Sequence, residues 1–211
     1  MKTTILKILF LVFISCSSKP DQKVGEVEVY VDSAGLRIEM VEKPSENSML
    51  ISFLENPIDL QEYKKVKGKS LSSVAKGRSY YYRPNIKDSI FYNYSSFPAN
   101  SDWTKMEPLR ITVFKFGENK HSWEDTTEIL IELRVEGKDE DLKAANLIGY
   151  TKDQMEAVFG QNYLILDHRM IYSYNNKILI VTLEDATVSA FRYLKLNTNS
   201  IDTNLIKQIL E

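Results

Sequence analysis

The chain holds one cysteine and two histidines, so nucleophilic, metal and acid–base chemistry has few places to start. Lys67-Gly68-Lys69-Ser70 carries the end of a phosphate-loop signature. Tyr63, however, stands where the first glycine of GxxxxGKS belongs, and the run reads instead as a turn between helices. His121 and Glu124 give an H-x-x-E spacing inside Gly117 to Asp125 (GENKHSWED), a surface loop in an otherwise β pattern. With Asp125 they are the residues that an enzyme or small-ligand site built from distant positions would use. His168 falls in a turn between strands. Asp139-Glu140-Asp141 lacks the spaced oxygens of a calcium loop and reads as a helix start, where acids complement the dipole. There is no GxSxG elbow. The expectation is a protein without catalytic residues, metal or cofactor.

The densest functional signal is aromatic. Residues 80 to 103 contain Tyr80, Tyr81, Tyr82, Phe91, Tyr92, Tyr94, Phe97 and Trp103. Side chains alternate across a strand, so rings this close in sequence divide between two faces. The bland account is a set of β-formers half-buried in a sheet. The functional one takes Tyr80, Tyr82, Tyr92, Tyr94 and Trp103 as an exposed set whose large rigid rings suit a protein partner, or less readily a glycan.

Lys2 and Lys7 flank an apolar core, Ile8 to Ile14, followed by Ser15 and Cys16. The core is too short to span a bilayer, which takes about 20 apolar residues, and has the shape of a targeting segment. Ser15-Cys16 after this run resembles a bacterial lipoprotein signal, in which the cysteine is acylated and becomes the new N-terminus. Phe13 and Ile14 depart from the usual leucine and small residue. The resemblance implies acyl chains on Cys16, a membrane partner through that anchor, and an outer-membrane lipoprotein facing periplasm or surface. Residues 1–15 would be the signal peptide and 16–23 a polar tether reaching roughly 20 Å. Removing residues 1–15 takes 27 basic residues to 25 against 29 acids, about −4, which argues against nucleic acid as a partner.

Positioning these residues falls to an α+β body. Val27, Val29 and Val31, then Leu36, Ile38 and Met40, alternate with polar neighbours around Asp32-Ser33-Ala34-Gly35, predicting an N-terminal β-hairpin. The apolar run Met49 to Leu54 follows, and residues 24–54 are read as N-terminal strands. Residues 59–135 and 141–196 share a pattern: Asp59-Leu60 with Asp141-Leu142, Gly68 with Gly149, Ser70 with Thr151, and Gly77 with Gly160. In the second copy Thr151 and Gln154 form a capping box, Met155, Val158 and Phe159 share a face, and Gly160 stops the helix. In the first, Ser70 caps a shorter helix burying Leu71 and Val74, ended by Gly77. Three antiparallel strands follow in each, with a hairpin at Asn175-Asn176 in the second. The units run over 55–137 and 138–211, the latter closing on a helix from Asp202 to Leu210. The predicted architecture is antiparallel sheet with helix pairs on one face, arranged as a tandem repeat.

Gly149, Thr151, Met155, Phe159-Gly160, Tyr172, Tyr174 and the run Ile178 to Val188 make residues 147–196 similar to small outer-membrane lipoproteins of the SmpA/OmlA type. They are also similar to the related fold of secreted β-lactamase inhibitor proteins. Ile171 stands where tryptophan is common there, Asp185-Ala186 replaces an Asp-Gly turn, and residues 24–54 have no counterpart. The resemblance implies paired units whose sheets grip a partner protein. It leaves inhibition, immunity and envelope assembly equally open as roles.

Overall fold

A computed structural model describes residues 48–68, 71–76, 81–96 and 109–211, with the strand backbones 27–31 and 37–41. Cys16, Tyr80 and Trp103 lie outside the described residues, as do the signal segment, the tether, Ser70 and Gly77.

Strands β1 (Val27–Val31) and β2 (Arg37–Val41) pair antiparallel. The run expected to continue as strand is instead a helix, α1 (Ser48–Glu55). A six-residue apolar run has no period that separates the two states, and here Leu50, Phe53 and Leu54 stand at i, i+3 and i+4. Leu50 and Leu54 are buried, and the Phe53 ring meets Phe159 edge-on at 5.1 Å. Helix α2 (Leu60–Lys67) starts at Asp59, whose carboxylate accepts from Glu62 N at 3.0 Å, and closes at Gly68 with φ 49°.

The helix expected to follow is also corrected: Leu71–Lys76 is strand β3. Ser72, Ser73 and Val74 are weak helix formers, and the segment pairs in register with β4 (Ser89–Ser96), Ser73 opposite Tyr94. Leu71 is buried as expected, but Val74 points out and is 62% exposed. Strands β5 (Leu109–Phe116) and β6 (Ile129–Val135) complete this meander.

After a short 3₁₀ turn, Glu140–Ala145, comes α3 (Lys152–Phe159), with both halves of the Thr151/Gln154 capping box formed and Gly160 at its end. The second meander has four strands, not three: β7 (Leu164–Leu166), β8 (Arg169–Tyr174), β9 (Lys177–Glu184) and β10 (Thr187–Lys195). Asn175 has φ 51° in the β8–β9 turn. Asp185 and Ala186 both have positive φ, 49° and 63°, in the β9–β10 turn, the geometry that suits the twist of a tight hairpin.

Among the described residues ten strands form one antiparallel sheet in the order β1-β2-β7-β8-β9-β10-β6-β5-β4-β3. The two meanders therefore meet side by side where β10 pairs with β6. The fold is α+β. Helices α1 to α3 and the 3₁₀ turn close one face over a core that includes Leu54, Tyr94, Ile111, Leu133, Met155, Tyr172 and Val181. Helices on one face only was the expectation, and α4 (Thr203–Leu210) departs from it. Its Ile206 and Ile209 bury Ile171, Ile178, Ile180 and Leu194 on the opposite face. Residues 81–88 cover the rest of that face, with Tyr82 packed against the cluster Phe91, Phe114 and Ile131. Among the described residues no helix is long and apolar enough to cross a membrane.

Candidate functional site: a loop fastened over two buried lysines

Strand β5 alternates, so Leu109, Ile111 and Val113 face the helix layer and Lys115 takes the next place on that face. On α2 the inward stripe Leu60, Tyr63, Lys64 carries a second lysine into the same region. The two side chains are each 2% exposed. Two carboxylates compensate them. Glu128, just before β6, takes Lys64 Nζ at 2.5 Å and Gln61 Nε2 at 2.8 Å on Oε1, and the Tyr94 hydroxyl at 2.7 Å on Oε2. Asp125 accepts from Thr127 N at 2.9 Å and Thr127 Oγ1 at 2.7 Å on Oδ1. Lys115 Nζ stands 3.8 Å from both Asp125 Oδ2 and Glu128 Oε2.

The environment moves the proton equilibria. Burial, aided by the nearby Lys64 charge, holds the Lys115 amine below its ordinary value, against Glu128 and Asp125. Burial alone would raise the Asp125 carboxyl. The Thr127 hydrogen bonds and the lysine charges outweigh it and hold that carboxyl below its ordinary range. Burial and the bond to Glu128 push the Tyr94 phenol well up, so it stays a donor.

A lysine with a depressed pKa is the usual starting point for amine nucleophiles. Lys115, however, donates to Ser122 O at 2.5 Å and is enclosed by the loop and the Tyr92 ring, 5.4 Å from its nitrogen. Lys64 likewise donates to Trp123 O at 2.5 Å. What the four charges do is hold backbone: two buried ammonium groups grip consecutive carbonyls of the loop between β5 and β6. The loop thereby presents Trp123, 38% exposed, with its ring edge-on to Tyr94 at 5.4 Å and Lys64 Nζ 4.7 Å from its centroid. Beside it, His121 Nδ1 and the Tyr92 hydroxyl are 2.8 Å apart.

Of the aromatic set expected to be exposed, Tyr82, Tyr92 and Tyr94 are described, and these three do not share one exposed face. Tyr94 is 1% exposed and committed to Glu128, so it offers nothing to a partner. Tyr82 lies on the opposite face, edge-on to Phe114 at 5.8 Å. Tyr92, half-buried, is on the helix side beside the loop. His121, Glu124 and Asp125 do not converge either: one bonds Tyr92, one is exposed, and one turns inward to Lys115. The acids at 139–141 are consumed as capping and pairing groups. Asp139 accepts from Asp141 N at 3.1 Å and Tyr63 OH at 2.9 Å, and Lys67 pairs with both aspartates.

Lys64, Lys115, Glu128 and Trp123 were missed as a group. A readable signal existed for two of them, because a lysine at a core-facing position of an apolar strand or helix stripe demands a buried partner.

Next to the network a cleft of about 370 Å³ opens between the α1–α2 turn and the ends of β6, β9 and β10. Gln61 and Glu128 reach it from the network, and Lys177, paired with Glu55 at 2.6 Å, and Lys195 from the sheet. Burial and the Lys177 charge hold the Lys195 amine below its ordinary value.

Comparison with family models, with curated proteins and with solved structures finds no match to this chain.

Proposed function

We propose that this chain is a non-enzymatic, lipid-anchored protein of the bacterial envelope that binds a protein partner, with Trp123 as the anchor of the contact. The observation that carries the partner half is the fastening of the Ser122 and Trp123 carbonyls by Lys64 and Lys115. Burying two ion pairs is an expensive way to stabilise a core, and apolar residues would do it as well or better. Such a network makes sense where a surface segment must keep one shape, since a contact residue held in its bound geometry loses little entropy on association. Tryptophan is among the side chains most enriched at the energetic centres of interfaces. The anchoring half rests on the apolar run and Ser15-Cys16 at the N-terminus. Two signals are needed for lasting attachment, and multiple acylation supplies them.

The test is recovery of partners from envelope extract by the native chain and by Trp123→Ala, with thermal unfolding as the control for folding. Loss of a specific partner from a folded variant is the expected result, and equal recovery would sink the loop assignment. The mass of the purified native protein tests the anchor; an unmodified Cys16 thiol overturns it. A second reading, a small-ligand site, is favoured by the polar cleft at Lys177 and Lys195. It would show as ligand-dependent stabilisation lost in Lys195→Met.

A further inference from the structure

In the strands whose side chains are described, cations are sorted by face. Lys115 and Lys177 lie toward helices α1 to α3, and Lys195 starts from that face with its ammonium 5.6 Å from the Tyr82 ring centroid, whereas Arg110, Arg134, Arg169 and Arg192, four of the chain's seven arginines, lie on the opposite face. Arg110, Arg134 and Arg192 stand directly opposite one another on β5, β6 and β10. Like charges in register are unfavourable, so something must compensate the row. Part of the answer is internal: Arg192 Nε meets Glu132 Oε1 at 2.7 Å, and Arg134 Nε meets Glu136 Oε1 at 2.5 Å.

Where the face meets the C-terminal end of α4 each arginine has a carboxylate beside it, yet its hydrogen-bonding capacity is not exhausted. There a cleft of about 360 Å³ is lined by Arg134, Arg169 and Arg192 against Glu136 and Glu211, with Ala190 leaving room. One wall is α4, tied down by Arg192 Nη1, which donates to Ile209 O at 3.2 Å. A guanidinium has five N–H donors. Arg134 spends its Nε and Nη2 on Glu136, Arg192 spends Nε and Nη1, and Arg169 makes one long contact, Nη1 to Asp167 at 3.7 Å. Several donors of each therefore remain for a ligand. Strands lie about 4.8 Å apart and rise about 3.3 Å per residue, and Arg169 on β8 is level with Ala190, two residues from Arg192 on β10, so the two arginines are rooted about 12 Å from each other. A ligand with two separated oxyanion groups can engage both without drawing the side chains together.

The geometry points to this cleft as a site for a small ligand carrying two or more oxyanion groups, carboxylate or phosphate, gripped by Arg134 and Arg192 at one end and by Arg169 at the other. Arginine rather than lysine fits the role, because the planar fork matches the oxygens of both groups. The volume is within the range of small-molecule sites. The site lies across the sheet from the Trp123 loop, and its test is independent of partner binding.

The experiment is calorimetric titration of the detergent-solubilised full chain with citrate and, separately, with pyrophosphate, at an ionic strength fixed with chloride. Saturable binding of citrate alone assigns a carboxylate ligand, of pyrophosphate alone a phosphate, and of both the shared chemistry; each supports the proposal. Arg169→Gln, which removes only the long contact to Asp167, is expected to weaken binding about tenfold or more. Arg169→Lys, which keeps the charge without the fork, should fall between. Lys152→Gln on α3, across the sheet, should leave binding unchanged. No saturable heat with either probe overturns the site. So does an Arg169→Gln chain that binds like the parent, or a loss in Lys152→Gln that equals the loss in Arg169→Gln.

Discussion

Glu128 is the residue on which the buried network turns, since one oxygen takes Lys64 and Gln61 and the other takes Tyr94. Its removal leaves two enclosed ammonium groups without their main counter-charge, and breaking such a pair from one side typically costs about 3–5 kcal/mol. Glu128→Ala is expected to lose stability on that scale in urea unfolding, whereas Lys138→Ala at an exposed site should change it by less than about 0.5 kcal/mol. Asp125 sets the acid limit. Its folded pKa lies below the ordinary 3.8, so its stabilisation is complete above that value and is lost as pH falls through the depressed one. Lys115 acts at the other end. Its folded pKa is below 10.5, so the unfolded chain binds the proton better and this group's contribution improves as pH rises toward that value. Asp125→Asn should flatten the decline of melting temperature below about pH 4; an unchanged acid limb would remove Asp125 from the account. None of this was legible as a network, because the four residues come from α2, β5 and the loop before β6. What the alternation could have shown was the inward place of Lys115 and, on the helix stripe, that of Lys64.

At the scale of elements, local chemistry decided where the reading succeeded. Thr151 and Gln154 announce α3, and both bonds of the box are made, at 3.2 Å and 2.8 Å. Thr151→Ala should therefore cost about 1 kcal/mol. Asn175 turns the β8–β9 hairpin with a positive φ its side chain tolerates. Ala186 has no such excuse at φ 63°. Ala186→Gly is expected to stabilise the protein by about 1 kcal/mol, read as a raised urea midpoint with unchanged slope, and a lowered midpoint would mean that the methyl contributes packing that outweighs the strain. The reading failed at Ser48–Glu55 and Leu71–Lys76. In both, a short segment had apolar residues that fit either period, and the partner that chose the state was remote: the Phe159 edge for α1, the Tyr94 backbone for β3. The sharing of one sheet by both meanders was equally invisible, since the pairing of Arg192 with Arg134 is a register between strands with no turn to fix it.

In the whole molecule the helix layer of α1 to α3 bridges the two meanders, while α4 packs alone on the other face. Helix α1, from the first half, packs on α3, β8 and β9 of the second, and one apolar cluster runs through both. The halves cannot part without exposing it. Unfolding is therefore expected to be one cooperative transition, with calorimetric and van't Hoff enthalpies in agreement; two resolved transitions would show that each meander with its helices stands alone. Among the described residues β3 ends the strand order, and its Ser72, Ser73 and Val74 are exposed. No strand among the described residues pairs with the outer side of β3, and a lateral rim of this kind is a template for another polypeptide's extended segment. Concentrated preparations would be expected to grow by side-to-side accretion from this rim, and a lysine placed at Val74 is the single change that should keep them monodisperse.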